Sequence, residues 1–269
     1  MYRGTLIAQA RLMMTRNAPG LCRFFTIRQR VENGSIREMH EQPKRNFSRD
    51  RIFYTGVAIA FACSVFIGFS RTYYLKPLFG TPPLSILAHV HGALFTAWTA
   101  FFVLQAALVA AGRTDLHRRT GVAGAMLAAA VVSLGTAMAF HPVRAGYASG
   151  RPNMGFLLVN SIIDLFLFSS FLAAGLFFRR NKEIHKRLMV LAMVSLIIPS
   201  FARLPIPFTM IGWVILAFSL TGVAYDGIFL RRVYVTNVVG ALLINVATPL
   251  RFAIAGTRAW QDFVEWVAR

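Results

Sequence analysis

Long, unbroken apolar runs separated by short basic gaps dominate the chain. Each run approaches the roughly 20 residues that a helix needs to cross a bilayer, and none alternates with the period of two expected of a barrel strand. Because lipid cannot satisfy open backbone groups, such runs predict helices. We therefore predict an all-α fold, a polytopic transmembrane helical bundle of about seven spans. The runs cover residues 53–75, 86–111, 121–140, 155–178, 187–203, 208–230 and 234–255.

These runs predict three parts of the chain. Residues 1–52 form a basic tail, residues 53–255 a seven-helix transmembrane domain with a four-helix core at 86–203, and residues 256–269 a short C-terminal segment. The tail has three readings: a cytoplasmic segment attracted to anionic headgroups, a mitochondrial-type targeting peptide, or sequence upstream of a translation start at Met39.

Composition narrows the class of protein. With 56% hydrophobic and 14% charged residues and a mean hydropathy of +0.56, the chain is neither disordered nor typical of a soluble enzyme. A net charge of +19 suggests nucleic-acid binding in a soluble protein. Here the basic residues lie in the gaps between spans, which indicates a lipid bilayer with anionic headgroups as the partner and no nucleic acid. They concentrate in the tail and in every second gap, so the positive-inside rule predicts a cytoplasmic amino terminus.

Two gaps on the predicted cytoplasmic side repeat one pattern. Asp115–Arg119 and Glu183–Arg187 both read acid, aliphatic, His, base, Arg, and each begins an apolar helix. The repeat suggests two related hairpins, spans two–three and four–five, packed as the four-helix core. An equally good interpretation is two ordinary helix starts with snorkelling Arg side chains.

Five of the six histidines belong to the span region, and they fall at two depths. His89, His91 and His141 are predicted near the outer surface, and His117 and His185 near the cytoplasmic one. His89 and His91 lie about 200° apart around a helix, so at most one of them can face the core squarely.

This arrangement of histidines in a four-helix bundle resembles the cytochrome b561 class, whose helices hold two bis-histidine haems. The resemblance covers residues 86–203 and implies haem b as a cofactor, with a redox partner or a quinone as the electron partner. We expect the outer trio to supply the better ligands, because His117 and His185 lie in charged interfacial gaps. Histidines that simply anchor helix ends are the alternative for both groups.

The outer trio could also hold zinc or copper, but no Cys or carboxylate adjoins it, so no metal site is assigned. The segment His89-Val90-His91-Gly92, with His117-Arg118-Arg119 further on, also resembles multi-pass proteins of bacterial inner membranes. That resemblance implies the inner (plasma) membrane as the location and carries no established reaction.

Asp164 is the one acidic residue well inside a span, where a charge is costly unless it is paired, protonated or facing water. Asn160 lies one turn earlier on the same helix face. Arg203 can approach Asp164 if Pro199 kinks the fifth span. A titrating Asp164 would suit a transporter, and a neutral or hydrogen-bonded Asp164 would simply hold helices together.

Smaller features complete the expectations. Asp226 is expected to pair with Arg231 or Arg232, and the dipeptide His141-Pro142 to close the third span, since proline disfavours helix before it. Small residues such as Gly121 and Gly124 are expected at close helix contacts.

Three functions follow as hypotheses. The first is a haem b electron-transfer protein, the second a proton-coupled small-solute permease using Asp164, and the third a non-catalytic membrane subunit or assembly factor. Nucleotide-binding, nucleophile-elbow and CxxC motifs are absent from the sequence, so catalytic residues are unassigned and an enzymatic role stays open.

Overall fold

The computed structural model describes residues 48–147 and 153–269, and these ranges contain helices and no strand. Contacts divide the chain into two units, residues 1–50 and 51–269. All but the last five residues of the predicted tail 1–52 lie outside the described residues.

Seven spans in the described part of the chain are long and apolar enough to cross a membrane, which confirms the predicted all-α bundle. The orientation of the bundle stays a prediction. In chain order the helices are α1 (Ser48–Tyr74, π-helical over Ser70–Tyr74), α2 (Lys76–Phe79), α3 (Ile86–Ala110), α4 (Thr114–Tyr147), α5 (Met154–Phe177), α6 (Lys182–Ser195), α7 (Ile198–Phe201), α8 (Phe208–Tyr225, followed by a π-helical turn Asp226–Leu230), α9 (Val235–Ala255) and α10 (Arg258–Ala268).

Two helical hairpins bring the repeated histidine patterns to one end of the bundle. The α3–α4 turn contains Gly112, whose φ of 78° suits a residue without a side chain, and the α5–α6 turn leads into Asn181. The Asn181 side chain accepts hydrogen bonds from the backbone N–H groups of Glu183 and Ile184, and so caps α6. We call this the His185 end of the bundle, and the opposite end, where α1 finishes and α3 begins, the His91 end.

The α6–α7 segment is the most buried of the spans in the described ranges. It packs against α5, α8 and α9. A Cβ atom added at Gly240 of α9 would collide with the Leu191 side chain of α6, so a glycine is needed for that close approach. Side chains on α6 therefore meet groups from several helices.

Two prolines that the sequence singled out behave differently. The helix of the fifth span breaks just before Pro199, because α6 ends at Ser195 and α7 begins at Ile198. The prediction that Pro142 closes the third span is wrong, since α4 continues through it to Tyr147. Val143 is buried there against Val264 and Val267 of α10, and this packing stabilises the last turns of α4.

Candidate functional site

The two histidines of the repeated patterns meet at the His185 end. His117 lies in the first turn of α4 and His185 in the first turn of α6, and their ring centroids are 6.1 Å apart with an interplanar angle of 77°. Both residues are half-buried. We call His117 and His185 the histidine pair.

One hydrogen bond orients the His185 ring. Its Nδ1 lies 2.8 Å from the carbonyl oxygen of Gly175, near the end of α5. Because a carbonyl only accepts, Nδ1 carries a proton, and in the neutral ring the lone pair is then on Nε2. A Cβ at Gly175 would lie only 3.2 Å from Met189 Sδ, so α5 and α6 pack closely at this level. Metal-ligating histidines are held in the same way, by a hydrogen bond from the ring nitrogen that does not bind the metal.

The surroundings of His117 contain polar atoms without partners. Among the described residues, neither His117 Nδ1 nor Gln105 Oε1 has a hydrogen-bond partner, and both atoms are shielded from solvent. The Gln105 amide nitrogen donates to Thr120 Oγ1 at 2.7 Å, which fixes the direction of its oxygen. Buried polar atoms are usually paired, so one unpartnered atom on His117 and one on Gln105 indicate a missing polar or ligating group.

Gly121 leaves space on the same face of α4 as His117. It lies one turn after His117, and a Cβ added there would meet no heavy atom within 4 Å. The expectation that Gly121 serves close helix packing is therefore wrong. Gly124 does fit that role, because a Cβ there would collide with the ring of Phe101.

A buried ion network adjoins the histidine pair on α6. Arg187 donates from Nε and Nη2 to the two carboxylate oxygens of Asp226, and from Nη1 to the Glu183 carboxylate at 2.8 Å. Its guanidinium carbon lies 3.6 Å from the centroid of the Tyr234 ring. Asn237 of α9 donates to Asp226 at 2.8 Å. Asp226 thus pairs with Arg187, and the expected pairing with Arg231 or Arg232 is wrong.

Asp164 also has an arginine partner that was not expected. Arg251 of α9 lies 2.5 Å from Asp164 Oδ1 on α5, and both side chains are buried. Arg203 instead donates to the carbonyl of Pro199 and covers the ring of Phe69, so the expected approach of Arg203 to Asp164 does not occur. Asn160 is half-buried one turn before Asp164.

The outer trio does not assemble. His89 and His141 are exposed, and only His91 is half-buried, with its ring 4.3 Å from that of Phe95. Within the described ranges, no group of three or more His, Cys, Asp or Glu side chains is placed to hold a metal ion. The exposure of His89 and partial burial of His91 agree with their predicted angular separation.

Sequence reasoning missed Arg187 and Arg251 because it assigned both to the polar ends of spans. Arg251 lies inside the seventh apolar run, and each buried aspartate needed a counter-ion; these were the available signals. No family model, curated protein or solved structure matches the chain. Its chemistry must be inferred from its own residues and geometry.

Proposed function

We propose that this integral membrane protein transfers electrons and holds one haem b between His117 and His185. The observation that carries the proposal is the 6.1 Å separation of the two imidazole rings, each at the start of the second helix of one of two related hairpins. The sequence alone favoured the outer trio, so the proposal moves the ligands to the other end of the bundle.

The separation is short enough for the two histidines to hold one metal ion. An imidazole nitrogen lies about 2.0–2.1 Å from a metal that it binds, so rings whose centroids are 6.1 Å apart could both reach the iron of a haem between them. Two neutral imidazoles are established ligands of b-type haems, and a helical bundle can bury the macrocycle.

Three further features of the site fit a bound haem. His185 is oriented by the hydrogen bond of its Nδ1, which leaves Nε2 as the nitrogen that would bind the iron. His117 carries a shielded nitrogen without a partner. Gly121 leaves open space one turn from His117, where a larger side chain would occupy the room beside the ring.

The haem would supply reversible one-electron chemistry, and the protein residues would set its position. The Gly175 carbonyl holds the His185 ring, and the Arg187–Asp226 pair ties the same turn of α6 to α8 and α9. The predicted orientation puts the site near the cytoplasmic surface, where a soluble redox partner or a membrane quinone could exchange electrons.

The permease hypothesis has a different basis, the buried carboxyl of Asp164. In that function Asp164 would exchange protons during alternating access, and Asp164→Asn would abolish proton flux in liposomes. A carboxylate bonded to Arg251 is instead well suited to joining α5 to α9. The geometry therefore favours the redox proposal.

The test is an absorption spectrum of detergent-purified protein produced with a haem precursor in the medium. We expect a Soret band that shifts on dithionite reduction and is lost in His117→Ala and in His185→Ala. His89→Ala and His141→Ala are matched controls, because both rings are exposed, and should keep the band. Loss of the band in the controls, or folded wild-type protein that stays colourless with haem supplied, would contradict the proposal.

A further inference from the structure

Arg203, at the His91 end, is an arginine without a counter-ion. Arg187 and Arg251 each bind a buried aspartate, whereas no carboxylate in the described ranges lies within ion-pair distance of Arg203. Among the described residues, Arg203 donates one hydrogen bond, from Nη1 to the Pro199 carbonyl oxygen at 2.7 Å. Its guanidinium also lies over the face of the Phe69 ring. Most of its five N–H donors are therefore available.

Three unpartnered polar atoms lie in the segments that surround Arg203. Thr72 Oγ1 on α1, His91 Nδ1 on α3 and Ser200 Oγ on α7 are all shielded from solvent and have no hydrogen-bond partner among the described residues. Ser200 is 1% exposed as a residue, so water cannot replace the missing partner from outside. Each such atom costs free energy unless a bound group satisfies it.

The packing of α1 against α7 brings Thr72 and Ser200 towards Arg203. A Cβ at Gly68 would collide with the Ser200 backbone, so the two helices touch at that level. Thr72 lies one turn beyond Gly68 on the same face of α1, and Arg203 lies one turn beyond Ser200.

Helix α3 brings His91 to the same end. A Cβ at Gly92 would collide with the Tyr73 ring of α1, so α3 meets α1 one residue after His91 and one residue after Thr72. The four side chains thus come from α1, α3, α7 and the turn that follows α7. We call Thr72, His91, Ser200 and Arg203 the Arg203 cluster.

The charge of this region favours an anion. Residues 66–92 and 196–210 contain Arg71, Lys76 and Arg203 and no Asp or Glu. A guanidinium with free N–H donors, two hydroxyls and an imidazole nitrogen match a tetrahedral oxyanion, which has several acceptor oxygens. Arg203 is exposed at the His91 end of the bundle, so an anionic group can approach it.

We propose that the Arg203 cluster binds a phosphate group, either free phosphate or the headgroup of an anionic phospholipid. Arg203 supplies the charge, and Thr72 and Ser200 donate hydroxyl hydrogen bonds to the phosphate oxygens. The proposal uses none of the residues of the haem site at the other end of the bundle.

Thermal unfolding of the full-length protein in a neutral detergent tests this site. One arm adds inorganic phosphate and compares it with chloride at the same ionic strength. The second arm adds palmitoyl-oleoyl phosphatidylglycerol to the micelles and compares it with the same amount of phosphate-free diacylglycerol. A ligand that binds only the folded state raises the unfolding temperature.

We expect a rise of several degrees with at least one phosphate probe, and its loss in Arg203→Gln. A rise with inorganic phosphate, with or without a rise in the lipid arm, assigns free phosphate, and a rise in the second arm alone assigns a lipid headgroup; both outcomes support the site. Arg71→Gln is the matched control, because Arg71 carries the same charge at the same end of α1 and packs on Phe79 instead.

A second variant keeps the proposal testable if Arg203→Gln fails to fold. Thr72→Val keeps the volume of the side chain and every charge, and should reduce the rise without lowering the unfolding temperature in chloride. No rise in wild-type protein with either probe, or an undiminished rise in Arg203→Gln or Thr72→Val, would overturn the proposal.

Discussion

Arg187 of α6 and Asp226 at the end of α8 form a two-point salt bridge in which neither side chain is exposed to solvent, although the residues are 39 positions apart. Asp226 accepts further hydrogen bonds from Asn237 and from the Tyr234 backbone. The pair therefore joins three helices two residues after His185. Because nearly every polar atom is satisfied, the network can remain buried without a bound ion.

Asp226→Asn should destabilise the bundle by up to about 3–5 kcal/mol, because Arg187 loses its fully buried carboxylate partner and keeps only the half-buried Glu183. Equilibrium unfolding in mixed micelles measures the loss. Asp262→Asn on the exposed face of α10 is the control and should change stability by no more than about 0.5 kcal/mol.

The double variant Arg187→Met/Asp226→Leu should be more stable than Asp226→Asn alone, because it removes both charges and keeps apolar volume. Equal losses of unfolding free energy in Asp226→Asn and Asp262→Asn would show that the salt bridge does not stabilise the bundle.

Asp164→Asn should be destabilising for the same reason, because it leaves the Arg251 charge buried between α5 and α9. Arg203→Gln, which tests the partner that the sequence suggested, should leave stability without phosphate nearly unchanged. The measurement is the unfolding midpoint in phosphate-free buffer. A large effect of Arg203→Gln together with a small effect of Asp164→Asn would reverse the assignment of the ion pair.

Gly121→Leu should lower haem occupancy at least tenfold and leave the unfolding temperature of the haem-free protein unchanged, because the new side chain would fill the space beside His117. Gly56→Leu is a matched control, since a Cβ at Gly56 of α1 likewise meets nothing within 4 Å. Occupancy is measured as haem per protein in purified samples. Full occupancy in Gly121→Leu would show that this space does not admit the macrocycle.

The distribution of Lys and Arg predicts a cytoplasmic amino terminus and, with seven spans, a carboxyl terminus on the opposite side. Alkaline phosphatase fused after Arg269 should therefore be active in a bacterial host, and green fluorescent protein fused at the same position should be dark. The opposite pair of results would invert the bundle and move the haem site to the other surface.

The sequence predicted the spans well because each apolar run has one stable solution in lipid, a helix. It also related His117 to His185, since the repeated pattern places both at the start of the second helix of a hairpin. It did not predict their contact, which depends on how α4 and α6 pack.

The ion pairs were missed for a similar reason. Arg187 and Asp226, like Asp164 and Arg251, come from helices that are distant in the chain, and local spacing says nothing about which faces meet. Pro142 was misjudged because its local preference is outweighed by packing of the neighbouring Val143 against α10.

Exchange of one axial ligand tests the haem proposal most directly. A Met ligand in place of His raises the reduction potential of a haem. We predict that spectroelectrochemical titration of purified protein gives a higher midpoint potential in His185→Met and in His117→Met than in wild type, and an unchanged potential in His91→Met. An unchanged potential in both variants of the histidine pair, or a raised one in His91→Met, would contradict the assignment of His117 and His185 as ligands.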